Sequence, residues 1–245
     1  MRVLVVLPTY NEAANIENVL SRVRGALPGA RVLVVDDNSP DGTAEIAEKA
    51  AEQLGGIDVL RRPGKAGLGS AYRAGFRWGL ESGFDAMVEM DSDLSHDPDD
   101  LVGLVALVEE GYELVIGSRY VPGGSIPDWS LMRRLLSKGG NVYADALLGL
   151  GVRDSTAGFR VYRANLLQQI ELDTVRADSY GFQIEMTYRS RQHGARIAEV
   201  PIRFVDRALG TSKMSAYTVV EALGLVTWWG AGRLFQALRR LGGRG

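Results

Sequence analysis

Two carboxylates spaced two residues apart, Asp91 and Asp93, directly follow an apolar run that ends at Met90. The run at residues 85–90 predicts a buried strand. In an extended backbone, side chains two residues apart point to the same face, so both carboxylates should face one space at the carboxyl end of that strand. The two like charges repel each other unless a cation lies between them. Hard oxygen ligands favour Mg²⁺ or Mn²⁺, so the pattern predicts a divalent metal site; the alternative is an acidic turn that leads into a helix.

Charged residues also follow other predicted strands. Glu12 follows the first strand, Asp37 the second and Arg119 the fifth. The carboxyl ends of parallel strands lie at one edge of a sheet, where open α/β sheets bind ligands. Such an edge suits a ligand with a base, a ribose and a diphosphate. Asp37 could accept a hydrogen bond from the base, unless it is only a turn residue, and Arg119 could add positive charge near the diphosphate.

The strands that carry these residues alternate with helices. Apolar runs predict strands at residues 2–7, 31–35, 57–61, 85–90 and 113–117, and helical spacing predicts helices at 12–27, 43–54 and 70–83. This alternation predicts one mainly parallel, doubly wound sheet in a single α/β domain. Further along, the pattern predicts a helix at residues 182–192 and a strand at 196–202.

Two segments of the second half are apolar and basic. Residues 130–150 combine leucines with Arg133, Arg134 and Lys138, and we expect helices that are broken near Gly139 and Gly140. Their periodicity favours packing in the core over a position at a membrane surface. Residues 216–241 form an apolar tail with a basic end. Between these segments lies a polar loop with Arg207 and Lys213, which is either solvated surface or a loop that closes over phosphates.

Composition excludes several classes of protein. The chain has 245 residues and 46% hydrophobic residues, which suits one large globular domain. Its net charge of −2 gives no support to nucleic-acid binding. The absence of cysteine excludes disulfides and thiolate metal sites. The apolar stretches are too short or too charged to predict a signal peptide or a membrane-spanning helix.

Other catalytic motifs are absent or weak. The glycine-rich loop at residues 63–69 has neither the dinucleotide-binding nor the Walker spacing. The two histidines, His96 and His193, are too few for a histidine metal site. We interpret His96 as a supporting residue rather than a catalytic one.

Five motifs together resemble the family 2 inverting glycosyltransferases and, within them, the polyprenol (dolichol) phosphate mannose synthases. They are Pro-Thr-Tyr-Asn-Glu at 8–12, Val-Asp-Asp-Asn-Ser-Pro-Asp-Gly-Thr at 35–43, Lys-Ala-Gly-Leu-Gly at 65–69, Met-Asp-Ser-Asp-Leu-Ser-His at 90–96 and Gly-Ser-Arg-Tyr at 117–120. The resemblance covers residues 2–213 and implies a GT-A fold, which binds nucleotide-diphospho-sugars. It also implies transfer of mannose from GDP-mannose to a polyprenyl phosphate.

The resemblance also implies roles for individual residues. The guanosine-side contacts are Pro8, Tyr10, Glu12, Val35 and Asp37, the metal and diphosphate site is Asp91, Ser92 and Asp93, the donor-site arginine is Arg119, and the phosphate-gripping pair is Arg207 and Lys213. Ser95 stands where relatives often have a glutamine as a third metal ligand, so the resemblance implies Ser95 as a third group at the Mg²⁺ or Mn²⁺ ion, bound either directly or, because a hydroxyl is shorter, through a water.

The implied reaction is a single displacement by the lipid phosphate. Because a phosphate monoester is largely anionic at neutral pH, it needs no general base. Residues 1–213 would form the catalytic domain, and residues 214–245 an amphipathic helical tail of it. The chain looks like the short form without spanning helices, located at the cytoplasmic face of a membrane and docked there by an interfacial surface or an integral-membrane partner.

Two alternatives remain. One is the same fold with another donor, such as UDP-glucose, or another acceptor. The other is a phospho-receiver-like regulatory module, since receivers also pair aspartates with Mg²⁺. A receiver, however, should have its acids after the first strand, and here the adjacent pair Asp36 and Asp37 follows the second.

Overall fold

A computed structural model describes residues 1–206 and 216–242 of the chain, with side chains at 1–206 and 221–235. The strands are β1 (Val3–Thr9), β2 (Arg31–Asp36), β3 (Ile57–Arg61), β4 (Ala86–Glu89), β5 (Leu114–Ser118), β6 (Arg160–Arg163) and β7 (Ile197–Pro201). The helices are α1 (Ile16–Ala26), α2 (Thr43–Leu54), α3 (Leu68–Glu81), α4 (Leu101–Glu109), α5 (Leu131–Leu148), α6 (Ala164–Ile170), α7 (Ser179–Gln192) and α8 (Ala216–Gly242). Short 3₁₀ turns cover Pro98–Asp100 and Leu172–Thr174.

The strands form one sheet in the order β3-β2-β1-β4-β6-β5-β7. Every neighbouring pair is parallel except those made by β6, which runs antiparallel to both β4 and β5. The α/β class and the mainly parallel sheet are therefore confirmed. The sequence analysis did not predict β6 or α6.

Alternate residues of the central strands pack on opposite faces of the sheet, as the period of two requires. In β1, Leu4 and Val6 join the core cluster under α3 and α7, while Val5 and Leu7 join the cluster under α1 and α4. The sheet thus has a hydrophobic core on each face, as a doubly wound fold needs.

The register of the central strands sets the position of the loop at residues 90–96, which carries Asp91 and Asp93 and which we call the acidic loop. Val6 of β1 lies opposite Glu89, the last residue of β4, and Thr9 lies opposite Asp36, the last residue of β2. All three strands run in the same direction, so the loops that follow them leave the sheet at one edge.

Helix α5 is continuous, so the predicted break near Gly139 and Gly140 is wrong. Ser130 caps its first turn by accepting a hydrogen bond from the backbone N–H of Arg133, and Gly149 ends it with φ +63°. Each helical glycine costs about 1 kcal/mol relative to alanine, which is not enough to break this helix.

The expectation that residues 130–150 pack in the core is wrong for one face of α5. Asn141, Ala144 and Leu148 are buried. The opposite face leaves five large apolar side chains exposed, namely Leu131, Met132, Leu135, Leu136 and Val142. We call these five residues the apolar face of α5.

Helix α8 packs beside α5 and α7. The Tyr143 hydroxyl is 2.7 Å from the Thr227 hydroxyl, and Trp229 stacks on Tyr188 with ring centroids 6.3 Å apart. Trp228, by contrast, is 72% exposed. None of the described helices is both long and apolar enough to cross a bilayer. The division of the chain at residue 213 stays a prediction.

Candidate active site

A cavity of about 480 Å³ opens at the carboxyl ends of β1, β2, β4 and β5. Most of the predicted site residues line it, namely Pro8, Tyr10, Glu12, Asp37, Asp91, Ser92, Asp93, Ser95 and Arg119. Val35 does not, because its side chain packs in the core beside Gly75 of α3. Arg207 and Lys213 lie outside the described residues.

The Asp37 carboxylate lies at the end of the cavity formed by β1 and β2. Its Oδ1 is 2.9 Å from an Nη of Arg62, and its Oδ2 accepts a hydrogen bond of 3.4 Å from the backbone N–H of Ala66. Burial raises the pKa of Asp37, although Arg62 opposes that shift. Sequence reasoning missed Arg62, which directly follows β3 and so reaches the same edge of the sheet.

Tyr10 and Lys65 lie at the cavity wall on this side. The Lys65 ammonium lies 4.6 Å from the centre of the Tyr10 ring. An aromatic ring beside a buried carboxylate suits a planar heterocycle, because the ring stacks while the carboxylate accepts hydrogen bonds.

Asp91 and Asp93 lie beyond the end of β4 in a bend, not in an extended strand. Leu94 within this bend has φ +62°. The Ser92 hydroxyl donates to the Pro8 carbonyl at 2.8 Å, and Asp93 accepts from the backbone N–H of Ser95 at 3.0 Å. These bonds, rather than strand alternation, bring both carboxylates to the cavity.

The oxygen-rich loop fits a hard divalent cation. Asp91, Asp93 and Ser95 all line the cavity, and the buried Ser95 hydroxyl makes no hydrogen bond to any residue that the structure describes. The described part of the chain holds no group of three or more His, Cys, Asp or Glu side chains placed to bind a metal. The loop therefore suits an ion that completes its shell with water and substrate oxygens, as Mg²⁺ does.

His96 supports the acidic loop. Its Nδ1 accepts a hydrogen bond of 3.4 Å from the backbone N–H of Asp91. Its ring stacks on Phe159, with centroids 4.9 Å apart, and meets Phe204 edge-on. This placement agrees with a supporting role.

Arg119 lines the cavity, but its charge is already paired. Its Nε and one Nη donate to the two oxygens of Asp154 at 2.8 and 2.6 Å, in a pair that is almost fully buried. Burial alone would lower the pKa of Arg119, but the attraction and hydrogen bonds of Asp154 raise it. In the same way, Arg119 holds the pKa of Asp154 below its ordinary value despite burial. Arg119 therefore offers less positive charge to a ligand than the sequence suggested.

Arg133 adds a cation that sequence reasoning missed. It projects from the first turn of α5 into the cavity wall, 3.9 Å above the Trp129 ring and 2.9 Å from an oxygen of Asp206. Its Nε is buried and makes no hydrogen bond within the described part of the chain. The sequence placed Arg133 on a basic helix, and no local signal separates it from its neighbour Arg134.

A buried polar network forms the floor below the acidic loop. The fully buried Glu89 accepts from the Gln183 amide and hydrogen-bonds the Tyr162 hydroxyl. Burial raises the pKa of Glu89 to about 8, although Arg160 opposes that shift. Arg160 itself is fully buried and donates to the Tyr162 hydroxyl and to backbone carbonyls. The network fixes groups at the floor of the cavity without exposing them to solvent.

Comparisons with known proteins agree with this geometry. Residues 4–171 match the family model described as Glycosyl transferase family 2. The chain is 50% identical over 243 residues to an undecaprenyl-phosphate mannosyltransferase of Micrococcus luteus, covering 99% of this chain and 100% of that protein. It is 48% identical over 238 residues to a polyprenol monophosphomannose synthase of Mycolicibacterium smegmatis, covering 96% and 90%.

Two solved structures share the fold. One is a glucosyl-3-phosphoglycerate synthase of Mycobacterium tuberculosis in complex with Mn²⁺, UDP and glucosyl-3-phosphoglycerate, with a TM-score of 0.67 and 22% identity over 92% of this chain and 78% of that one. The other is the mannosyltransferase PcManGT of Pyrobaculum calidifontis in complex with GDP-Man and Mn²⁺, with a TM-score of 0.58 and 16% identity over 100% and 76%. These similarities confirm the GT-A type of fold.

Proposed function

Because this chain belongs to glycosyl transferase family 2, we propose that it transfers mannose from GDP-mannose to a polyprenyl phosphate with inversion at the anomeric carbon. The names of the two relatives at 48% and 50% identity support mannose as the transferred sugar and a polyprenyl phosphate as the acceptor. The fold neighbour bound to GDP-Man and Mn²⁺ is compatible with this donor.

A single observation supports a lipid phosphate as the acceptor. The first turns of α5 place Arg133 in the cavity wall while Leu131, Met132, Leu135 and Leu136 remain exposed on the same helix. One helix thus offers a cation for a phosphate and apolar side chains for a hydrocarbon chain. Large exposed apolar patches are rare in soluble monomers and mark interaction sites.

The protein's own groups perform binding and orientation. Asp37 accepts hydrogen bonds from the guanine base, and Tyr10 stacks beside it. Arg133 and Arg119 both line the cavity, where they would add positive charge beside the phosphates of the donor and the acceptor. Asp91 and Asp93, with Ser95 nearby, would hold a Mg²⁺ or Mn²⁺ ion, which when bound supplies positive charge to the donor diphosphate.

The displacement itself needs no protein base. A phosphate oxygen of the lipid forms a bond to the anomeric carbon, and the bond from that carbon to the diphosphate oxygen breaks, with its electron pair leaving on GDP. The attacking phosphate is already an anion at neutral pH, so no proton has to be removed. The main contributions are positioning and electrostatic stabilisation of the leaving diphosphate.

Docking on a membrane completes the proposal. The polyprenyl chain is insoluble in water, so the cavity must approach a bilayer. The apolar face of α5, with the exposed Trp228 on α8, would lie in the interface at the cytoplasmic face of the membrane. An integral-membrane partner protein that covers the same face is the alternative means of docking.

A radiolabel transfer assay tests the reaction. Labelled GDP-mannose and a short polyprenyl phosphate should give a labelled lipid whose mannose is β-linked, as NMR of the anomeric proton can establish. UDP-glucose should give much less product than GDP-mannose. The reaction should proceed without any nucleic acid. Preferential transfer from UDP-glucose, or an α-linked product, would contradict the proposal.

A further inference from the structure

Tyr72, near the start of α3, carries a hydroxyl group into an otherwise apolar part of the core. Its side chain is fully buried, and its ring stacks on those of Phe76 and Phe182, whose centroids lie 5.9 and 6.1 Å away. Both neighbours are phenylalanines, and a phenylalanine at position 72 would fill the same space without burying a polar group. Because a buried hydroxyl is unfavourable unless it forms a hydrogen bond, the Tyr72 hydroxyl indicates a role beyond packing.

The partner of this hydroxyl is the first carboxylate of the acidic loop. The Tyr72 hydroxyl donates to Oδ1 of Asp91 at 3.4 Å, and this is its one hydrogen bond among the described residues. Asp93 is held in a comparable way, since its Oδ1 accepts from the backbone N–H of Ser95 at 3.0 Å. Each carboxylate of the proposed cation site therefore accepts a hydrogen bond from a neutral donor within the protein.

Two glycines of α3 bring Tyr72 close enough to reach the acidic loop. A Cβ at Gly75 would collide with the Val6 side chain of β1, and a Cβ at Gly79 would lie 2.8 Å from the Leu4 side chain of the same strand. The backbone of α3 thus packs directly on β1, which is the neighbour of β4 in the sheet. The hydroxyl at the end of the Tyr72 ring therefore reaches the loop that follows β4.

We propose that Tyr72 is a positioning residue that fixes the orientation of the Asp91 carboxylate for a divalent cation at the acidic loop. The inference rests on the proposed function, because it assumes that Asp91 and Asp93 hold the cation. A group that hydrogen-bonds a metal ligand orients that ligand, and its loss typically lowers metal affinity by about 10- to 100-fold. The two stacked phenylalanine rings restrict the Tyr72 ring, so its hydroxyl holds Asp91 in place before the ion binds.

The test compares Mn²⁺ binding by the wild type and by Tyr72→Phe, which removes the hydroxyl and keeps the ring. The electron paramagnetic resonance signal of free Mn²⁺, recorded at saturating GDP, gives the dissociation constant. We expect this constant to rise by about tenfold or more in Tyr72→Phe. Calorimetry in EDTA should show equal affinities of the two proteins for GDP alone, because Tyr72 does not line the cavity. An unchanged Mn²⁺ affinity in Tyr72→Phe, or a wild type that binds no Mn²⁺, would overturn the inference.

Tyr162→Phe is the matched control. Tyr162 is also fully buried and meets Phe76 edge-on, with ring centroids 5.5 Å apart, but its hydroxyl contacts Arg160 and Glu89 instead. Its Mn²⁺ affinity should therefore stay close to that of the wild type. If both variants weaken Mn²⁺ binding alike, Tyr72 has only a structural role. If Tyr72→Phe does not fold, Tyr72→Met, whose flexible apolar side chain also lacks the hydroxyl, should show the same loss of Mn²⁺ affinity.

The dependence of mannose transfer on Mn²⁺ gives a second readout. In Tyr72→Phe, the Mn²⁺ concentration for half-maximal turnover should rise by about tenfold, while turnover at saturating Mn²⁺ should recover to nearly the wild-type value. A loss of turnover that no Mn²⁺ concentration restores would mean that Tyr72 supports the fold rather than the cation site. A wild type that transfers no mannose would refute the proposed function, yet the Mn²⁺ binding comparison would still decide the role of Tyr72.

Discussion

The loops that follow β2, β4 and β5 bury polar groups, whereas α5 and α8 expose apolar ones. Asp37, Asp93 and Arg119 are each at most 6% exposed, while Leu131 is 73% and Leu136 is 64% exposed. Both arrangements cost free energy, because buried charges lose hydration and exposed apolar side chains order water. The loops on one side of the cavity thus bury charge, and the helices on the other side expose apolar side chains. This contrast indicates two kinds of ligand, a charged one at the loops and a hydrocarbon at the helices.

The largest effect should come from the buried pair Arg119–Asp154. Asp154→Asn leaves a buried guanidinium without its counter-ion, so we expect a loss of about 3 to 5 kcal/mol in the free energy of unfolding. The pKa of Asp154 is depressed in the folded state, so the stability that this carboxylate contributes is present above its unfolded value of 3.8 and is lost as pH falls through the folded value. Urea unfolding curves of the wild type and of Asp154→Asn, recorded between pH 7 and pH 3, measure this loss in the free energy of unfolding. The difference between the two proteins should shrink towards pH 3.

Asp58→Asn is the matched control for that measurement. Asp58 pairs with Arg31 at the surface, with side chains 30% and 47% exposed. Such pairs contribute less than about 1 kcal/mol. An equal loss in both variants would mean that burial does not distinguish the two pairs.

The acidic loop should dominate catalysis. Asp93→Asn removes one of two carboxylates proposed to hold the cation, and we expect turnover to fall at least about a hundredfold, as when another key electrostatic group is removed. EDTA should have a comparable effect, and added Mg²⁺ or Mn²⁺ should reverse it. Asp99→Asn, at a carboxylate with a side chain 77% exposed, should retain activity. Full activity of the wild type in EDTA would refute the metal site.

The apolar face of α5 should matter for the lipid and not for folding. Leu135→Glu and Leu136→Glu, together in one chain, should weaken binding to anionic vesicles by roughly tenfold or more, because each buried leucine is worth about 1.5 to 3 kcal/mol. Flotation at low and high salt measures the binding. The thermal melting temperature should change little, since both side chains already face solvent. Val102→Glu, at an exposed apolar residue of α4, is the control. Vesicle binding that survives the double change would favour a membrane partner protein instead.

The smallest effect concerns two helical glycines, one on the exposed α5 and one on α3, which packs against the sheet. A Cβ at Gly139 of α5 would meet nothing within 4 Å, so Gly139→Ala should raise the free energy of unfolding by about 0.5 to 1 kcal/mol. A Cβ at Gly75 of α3 would lie 2.4 Å from Val6, so Gly75→Ala should lower it by about 1 to 3 kcal/mol. Chemical denaturation measures both changes in the free energy of unfolding. Changes of the same sign at the two positions would contradict the difference in packing between them.

Local patterns were sufficient for the first half of the fold. The strands at 31–36 and 57–61 and the helix at 43–54 were predicted to within a residue, because their apolar residues repeat with the right period and turn residues end them. Strand β6 was missed because it is only four residues long and begins and ends with an arginine, Arg160 and Arg163, so it carries no such pattern. The burial of Arg160 depends on acceptors contributed by residues 155, 157, 162, 183 and 187.

The site was predictable where residues follow strands and unpredictable where helices supply them. Asp37, Asp91 and Asp93 were found because parallel strands end at one edge. Arg133 and Gln183 come from α5 and α7, whose approach to the cavity is set by tertiary packing. The pairing of Arg119 with Asp154, 35 residues away, leaves no trace in the local sequence.

The antiparallel strand β6 also sets the order in which the molecule can be assembled. It lies between β4 and β5, so β5 cannot join the sheet until residues 160–163 have been synthesised. At ordinary rates of translation, the outer edge of β4 therefore has no neighbour for several seconds after it emerges. An unpaired edge invites pairing with another nascent chain. The loops from β1, β2 and β4 can form early. The side of the cavity that follows β5 can form only after the antiparallel strand β6 has paired with β4.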